Sequence, residues 1–429
     1  MAPPDCAEPR WLKTGLDNVW LPYAQMKTAA PPLPVVGSQG ARLTLADGRV
    51  LVDGIASWWT ACHGYNHPHI AEALRDQLAR LPHVMFGGLA HEQAYRLATR
   101  LAALLPGDLE RVFFTESGSV SVEVAMKMAV QYWMNRGVKG RTKVLSFRGG
   151  YHGDTFATMA VCDPEEGMHA KFAGVVAPQL IGDLPRDGDA LARLRKLVEA
   201  NAHELAAILV EPRVQGAGGM VFHGDEVLRA LRRLADDYGL LLIFDEIFTG
   251  FGRTGAMFAC AAAGVTPDIV TLSKALTGGT LPLAATIARK HVFDAFWGDE
   301  ADKALMHGPT YMGNALACAA ANASLDLFET EPRLAQAARI AERLEEGLAP
   351  CRALPGVKDV RVMGAIGVVE LETMPEPRAL QAAFLARGVW IRPFRNVVYL
   401  TPAFVISDGE LDQITGAVRA ALGEALLRA

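Results

Sequence analysis

From residue 111 onward the chain repeats one pattern: a short apolar run, a turn of polar or small residues, then apolar positions at helical spacing. The apolar runs Arg111–Thr115, Lys143–Phe147, Ala206–Val210, Leu240–Phe244, Asp268–Leu272 and Leu283–Ala288 are of strand length, and their continuity predicts burial on both faces. Between them lie helical stretches. Residues 120–135 form one, and Val227, Leu228, Leu231, Leu234, Ala235 and Tyr238 line one face of another that Gly239 closes. Strands alternating with helices predict an α/β fold with a mostly parallel sheet and helices on both faces.

The pattern changes near residue 331. A long helix, strands over Val357–Glu370 and Val389–Tyr399, and a final helix predict a smaller α+β unit. Ser407 and Glu410 make a capping box for that last helix, with Ile406 and Leu411 placed as a hydrophobic staple. At the other end, residues 43–51 read as a hairpin turning on Asp47-Gly48. The expected organisation is an N-terminal segment (1–57) joining the small domain, a large domain (58–330) and a C-terminal small domain (331–429).

The chemistry concentrates at strand ends, where open α/β sheets bind ligands. Leu240–Phe244 delivers Asp245 and Glu246; Asp268–Leu272 delivers Ser273 and Lys274. A buried lysine with a depressed pKa can condense with an aldehyde, and a carboxylate can keep a pyridinium nitrogen protonated, so the pair suits pyridoxal phosphate. Structural roles compete: Asp-Glu after a strand also serves as a helix cap, and most lysines are merely solvated. Gly250-Phe251-Gly252-Arg253-Thr254-Gly255 fits G-x-G-x-x-G, with Asp268 at the spacing of a ribose-binding acid. That keeps a dinucleotide-binding oxidoreductase in view, although Asp245–Thr249 intervene and no helix start follows.

Other loops bear on the same site. Glu116-Ser117-Gly118-Ser119 joins a strand to a helix N-terminus, which makes either an anion cup or a plain serine-capped turn. Tyr151 lies between glycines, suited to stacking on a flat ring. Trp58 and Trp59 cannot both enter one core, so at least one should wall an opening. The aromatic knot Trp20-Leu21-Pro22-Tyr23 reads by itself as ordinary core packing. His63, His67 and His69 invite a metal, but Gly64 and Pro68 break the helix such ligation needs; no metal is expected.

Composition narrows the class. The 429 residues are 51% hydrophobic with net charge −5, so neither a nucleic-acid footprint nor a polybasic membrane patch is expected. Residues 1–13 lack the basic start and apolar core of a secretory signal, no apolar run reaches membrane-spanning length, and the six cysteines are scattered. A cytoplasmic protein with reduced thiols is expected.

Taken in order, Glu116-Ser117-Gly118-Ser119, Tyr151-His152-Gly153, Glu211-Pro212, Asp245-Glu246 with the 250–255 glycines, and Ser273-Lys274 resemble class III pyridoxal-phosphate aminotransferases, from about residue 18 to the C-terminus. Ser57-Trp58-Trp59, residues 83–88, the 307–314 loop and Gly388–Phe394 narrow the likeness to the biotin-synthesis branch of that family. The resemblance implies fold type I and a homodimer with its active site at the subunit interface. Lys274 would bond to the cofactor, Asp245 would pair with its pyridinium nitrogen, and Tyr151 would stack on the ring. Gly118 and Ser119 would hold the phosphate, helped by Thr310 from the partner subunit, and Pro309 would also bind the cofactor. Tyr23, Trp58, Trp59, Asp154, Gly308 and Tyr399 would shape the substrate pocket, Tyr23 also serving catalysis, and Arg392 would grip a carboxylate in a bidentate fork. The substrates implied are S-adenosylmethionine as donor and 8-amino-7-oxononanoate as acceptor; another ω-amino substrate, or lysine as donor, stays open. Leu21, Arg213 and Arg395-Asn396 depart from the family pattern, and of these Arg395 lies near the acceptor anchor.

Overall fold

The computed structural model describes residues 9–165, 169–172 and 174–427. Its strands, in chain order, are β1 (Val35–Gln39), β2 (Arg42–Leu45), β3 (Val50–Asp53), β4 (Leu109–Thr115), β5 (Lys143–Phe147), β6 (Leu180–Gly182), β7 (Leu205–Val210) and the short pair β8 (Val214–Gln215) and β9 (Val221–Phe222). There follow β10 (Leu241–Asp245), β11 (Ile269–Leu272), β12 (Ala284–Arg289), β13 (Val357–Met363), β14 (Ile366–Leu371), β15 (Val389–Trp390) and β16 (Val397–Leu400).

Seven of these make the central sheet in the order β4-β12-β11-β10-β7-β5-β6. β10 sits in the middle, parallel to β7 and β11, and every residue of β10 is buried. Only β12 runs antiparallel to its neighbours, so the sheet is mostly parallel, as the apolar runs predict. Alternation along β10 splits the core. Leu241 and Ile243 pack with Val122, Val124 and Ala125 of the helix Gly118–Asn135. Leu242 and Phe244 belong to the other core cluster, with Leu228 and Leu231 of the helix Asp225–Asp237 that packs on this strand. Two covered faces leave the strand ends as the place for a ligand.

Several expectations fail beyond residue 330. Val357–Glu370 is not one strand but the hairpin β13–β14, which turns at Gly364 (φ +53°). A Cβ on Gly364 would lie 2.4 Å from the Gly255 nitrogen, so the turn is pressed onto the 250–255 loop. Val389–Tyr399 is likewise interrupted: β15 pairs in parallel with β3, whereas β16 joins β14. The helix Pro377–Ala386, capped by Glu376, was not read from the sequence at all. The final helix, Asp408–Leu426, carries its capping box as expected.

The glycine motif opens no helix. Residues 250–255 are turns, and Arg253 is buried, donating to the carbonyls of Ala365 (3.1 Å) and Pro402 (2.9 Å) while lying over Phe404. This loop seats the C-terminal hairpin. Asp268 receives Arg232 and the Leu242 amide instead of facing a ligand. The aromatic knot is not core either: Trp20 is 86% exposed and Tyr23 54%. Five cysteines are buried free thiols, and Cys6 lies outside the described residues. No helix among the described residues is long and apolar enough to cross a membrane.

Candidate active site

Two acids follow one another at the end of β10, and the fold gives them different work. Glu246 is buried and accepts the amides of Ala259 (2.7 Å) and Cys260 (2.8 Å), capping a short helix. Asp245 turns the other way. Its Oδ1 accepts Ile247 N (3.1 Å), and its Oδ2 meets His152 Nδ1 at 2.8 Å, with both side chains almost wholly buried. A carboxylate held this firmly offers a fixed negative charge in a dry place. Thr271 Oγ1 also donates to Oδ1 (3.3 Å).

Lys274 comes just past the end of β11 with φ +40°, a conformation that costs a lysine energy. Burial pulls its ammonium pKa down, against the opposing charges of Asp245, Glu211 and Asp154. A larger share of free amine results, as a nucleophile requires. The Nζ lies 5.0 Å from the ring centroid of Trp59. Ser273, by contrast, spends its hydroxyl on the Leu283 carbonyl.

A cavity of about 200 Å³ brings together Gly118, Ser119, Tyr151, Asp245 and Lys274. The turn that forms its base behaves partly as cap and partly as cup. Ser117 accepts Val120 N and caps the helix, while Gly118 and Ser119 border the cavity. The amides of an 18-residue helix open there, favourable ground for an anion. Ser119 Oγ also accepts Asp154 N (3.1 Å), and Gly153 (φ +129°) passes so close that a Cβ would sit 2.3 Å from that oxygen.

Tyr151 closes one side. Its amide donates to Glu211 Oε2 (3.0 Å) and its hydroxyl to Asp154 Oδ1 (2.9 Å); Tyr23 donates to Asp154 Oδ2 (2.6 Å). Burial and these acidic bonds push both phenols above their usual pKa. Glu211, fully buried near Asp245, is pushed up to about 7 chiefly by burial. Neither Glu211 nor His152 was singled out as a site residue, although Glu211 directly follows β7 beside β10 and strand-end position was the available signal.

A second cavity, of about 450 Å³, shares Lys274, Trp59 and Tyr151 with the first and extends between Tyr23, Trp58, Arg392 and Tyr399. Its walls are aromatic. Trp59 packs on Phe248 (4.2 Å) and edges toward Tyr399 (6.1 Å); Trp58 edges toward Tyr23 (6.2 Å) and carries the Arg392 guanidinium 4.9 Å from its ring centroid. Both tryptophans wall the opening. Of the departures from the family pattern, Arg395 borders this cavity, Arg213 is locked onto Asp225 elsewhere, and the Leu21 amide meets Met26 Sδ.

Gly308, Pro309 and Thr310 line neither cavity of this chain; the Thr310 carbonyl meets His83 Nε2. The three histidines go separate ways. His63 is buried between Ser324 Oγ and Arg333 Nε, with its pKa lowered to about 3 by burial and the Arg333 charge, while His67 meets Glu331 and His69 meets Asp326.

The comparisons decide the family. The Aminotransferase class-III model matches residues 23–422. This chain belongs to the class III aminotransferases. Its relatives include a protein from Mycobacterium leprae, 46% identical over 94% of each chain and named adenosylmethionine-8-amino-7-oxononanoate aminotransferase. A solved aminotransferase of the same name from Methanocaldococcus jannaschii superposes with TM-score 0.92 at 32% identity, over 96% of this chain and 98% of that one. An amine transaminase from an uncultivated Pseudomonas species, solved with pyridoxal phosphate bound, gives TM-score 0.89 at 32% identity, over 98% and 99%.

The fold is therefore that of a type I class III aminotransferase, the cofactor is pyridoxal phosphate, and the dinucleotide reading of residues 250–255 is set aside. The residues fit that cofactor. A helix N-terminus, a fixed carboxylate and a deprotonation-prone lysine border one cavity, and the buried Nε1 of Trp59 at its edge has no hydrogen-bond partner among the described residues. When bound, the cofactor supplies an electron sink for bond breaking at the amine-bearing carbon.

Proposed function

We propose that this aminotransferase moves the amino group of S-adenosylmethionine to the ketone of 8-amino-7-oxononanoate, giving 7,8-diaminononanoate in the cytoplasm as a step of biotin synthesis. One observation carries the reading: the cavity that starts at Lys274 is walled by Trp58, Trp59, Tyr23 and Tyr399 and holds a guanidinium, Arg392, stacked on Trp58. Such a channel suits a long aliphatic chain with a ketone at one end and a carboxylate at the other. The name of the Mycobacterium leprae relative supports the same substrates.

In this reading Lys274 would be the residue that bonds to the cofactor, and its free amine would move the proton at the amine-bearing carbon of the substrate. Burial lowers the lysine's pKa, which raises the share of free amine able to accept and return that proton. Asp245, which His152 steadies, would keep the ring nitrogen protonated, Gly118 and Ser119 would receive the phosphate, and Tyr151 would stack on the ring; all four border the cofactor cavity. Asp154 ties Tyr151 to Tyr23 and so joins the cofactor cavity to the substrate wall.

The 308–310 loop reaches the site of a second subunit, which makes the active unit a homodimer. Support comes from the resemblance and from the position of Gly308, Pro309 and Thr310 outside this chain's own cavities. Residues 1–57 join 331–429 in the small domain beside the large domain 58–330, a division supported by the pairing of β3 with β15.

The test is an absorbance spectrum of the holoenzyme with S-adenosylmethionine alone, then with 8-amino-7-oxononanoate. Loss of the lysine-bound cofactor band on the first addition and its return on the second are expected. A band that ignores S-adenosylmethionine but bleaches with lysine changes the donor. The likeness to an amine transaminase favours a second reading, transfer from another ω-amine, and a band restored only by other carbonyl acceptors would establish it. For the dimer, mixing inactive Lys274→Ala and Thr310→Ala subunits should regenerate up to about a quarter of parental activity, since half the dimers are hybrids with one intact site; no recovery would refute the shared site.

A further inference from the structure

The two tryptophans stand on a piece of backbone that should not be stable by itself. Ala56, Ser57, Trp58 and Trp59 all have positive φ (45°, 49°, 55° and 75°), four consecutive residues in the left-handed region with no glycine among them. Such residues visit that region singly, because the Cβ crowds the following carbonyl. Something outside the turn has to hold it.

Asp53, the last residue of β3, is 1% exposed and points its carboxylate into the turn. Oδ1 accepts Ile55 N (2.8 Å) and Ala56 N (3.1 Å), and Oδ2 accepts Ser57 N (3.2 Å). Three successive amides thus converge on one anion. The fourth donor is the Tyr65 hydroxyl, which bonds to Oδ2 and accepts in turn from Ser57 Oγ. β3 is itself fixed: Trp390 of β15 pairs with Asp53, and the Trp390 carbonyl accepts Gly54 N (3.0 Å). Arg392 lies two residues beyond Trp390. One strand pair therefore sets both the tryptophan turn and the guanidinium that rests on Trp58.

We propose that Asp53 and Tyr65 are positioning residues for substrate selection, holding the left-handed turn so that Trp58 faces Arg392 and Trp59 faces Lys274. Neither lines the substrate cavity. They act through the tryptophans. The inference rests on the reading above that the tryptophans wall the substrate channel, and it adds the device that aims them.

Three substitutions separate this from general stability. Tyr65→Phe removes the lock and leaves the three amide bonds. Asp53→Asn puts an amide donor against Ser57 N–H or Tyr65, so it disturbs the turn more. Nonanoate, a straight-chain carboxylate that needs no turnover, serves as the probe, with binding read by competitive inhibition of the parental half-reaction and by tryptophan fluorescence. Tyr65→Phe should weaken nonanoate about fivefold and raise KM for the long-chain acceptor similarly. The cofactor band, and kcat with a small acceptor such as pyruvate, should stay within twofold. Asp53→Asn should do the same more strongly, and Asp53→Glu should recover none of it, since the longer chain misplaces the anion. Unchanged nonanoate affinity in Tyr65→Phe, or equal losses with long and small acceptors, would overturn the proposal. A parent that binds nonanoate but never turns over 8-amino-7-oxononanoate would instead refute the substrate assignment alone.

Discussion

Arg392→Ala isolates the carboxylate anchor from the rest of the site. The guanidinium lies 4.9 Å from the Trp58 ring centroid and is half-buried, so its charge is partly screened. A charge-assisted hydrogen bond to a carboxylate is worth about 1.5–3 kcal/mol, and partial exposure brings the expectation to roughly 1.5–2 kcal/mol. At about 1.4 kcal/mol per decade, KM for the keto acid should rise about 10- to 30-fold. Arg392 does not touch the cofactor cavity, so kcat at saturating acceptor should change by less than about threefold. Arg392→Lys keeps a charge but loses the fork and the flat stacking face, and should recover less than half of the lost free energy. The assay is steady-state kinetics at saturating donor, with the cofactor band recorded for each variant. A KM within twofold of the parent in Arg392→Ala would refute the anchor. Loss of the band would show that the arginine supports the cofactor cavity instead.

Three further outcomes are expected. Gly153→Ala places a methyl 2.3 Å from Ser119 Oγ at φ +129°, so the purified variant should retain little cofactor by absorbance; normal retention would mean that the cup tolerates displacement. Arg395→Gly relieves a positive φ (+49°) at the first position of a two-residue turn closed by Phe394 and Val397, so its melting temperature should be equal to or above the parent's, and a fall of several degrees would refute the strain. Glu211, raised to about 7 by burial, holds its proton in the folded chain where the unfolded chain has lost it. Its contribution therefore favours folding at low pH and declines as pH rises from about 4.5 through about 7. The cofactor-free parent should lose more melting temperature between pH 5 and pH 8 than Glu211→Gln; parallel profiles would refute the shift.

The central sheet was legible because its strands carry the signal in themselves. Leu240–Phe244 needs no context to read as a buried strand, and Asp245 and Lys274 follow from strand ends alone. What failed depended on distant partners. The interruption of Val357–Glu370 at Gly364 comes from contact with Gly255, more than a hundred residues away, and β15 separates from β16 because β3 recruits it. The knot at Trp20–Tyr23 reads as core by composition, yet Tyr23 hydrogen-bonds Asp154 at the rim of the site. G-x-G-x-x-G misleads for a similar reason: Gly252 packs against Leu334 and Phe404 and Gly255 against the hairpin turn at Gly364, which a spacing rule cannot tell from close packing against a phosphate.

The conformations least visible in the sequence are those that gather at the site. Tyr23, Trp58, Trp59, Lys274 and Arg395 all have positive φ, and all five border the substrate cavity. At roughly 1 kcal/mol or more each, their combined cost is comparable to the whole net stability of an ordinary domain. Local propensity would relax every one of them. They persist because each is fixed from elsewhere: the tryptophans by Asp53 and Tyr65, Tyr23 by Asp154, Arg395 by the hairpin between Phe394 and Val397. Lys274 has the Ser273 hydroxyl tied to Leu283 before it and the turn that closes on Gly278 after it. Residues that break local rules at one cavity, each held by bonds of flanking or distant residues, mark where the sequence has given up local ease for the aim of a side chain. For that reason, substitutions at the supports should alter substrate preference before they alter the fold.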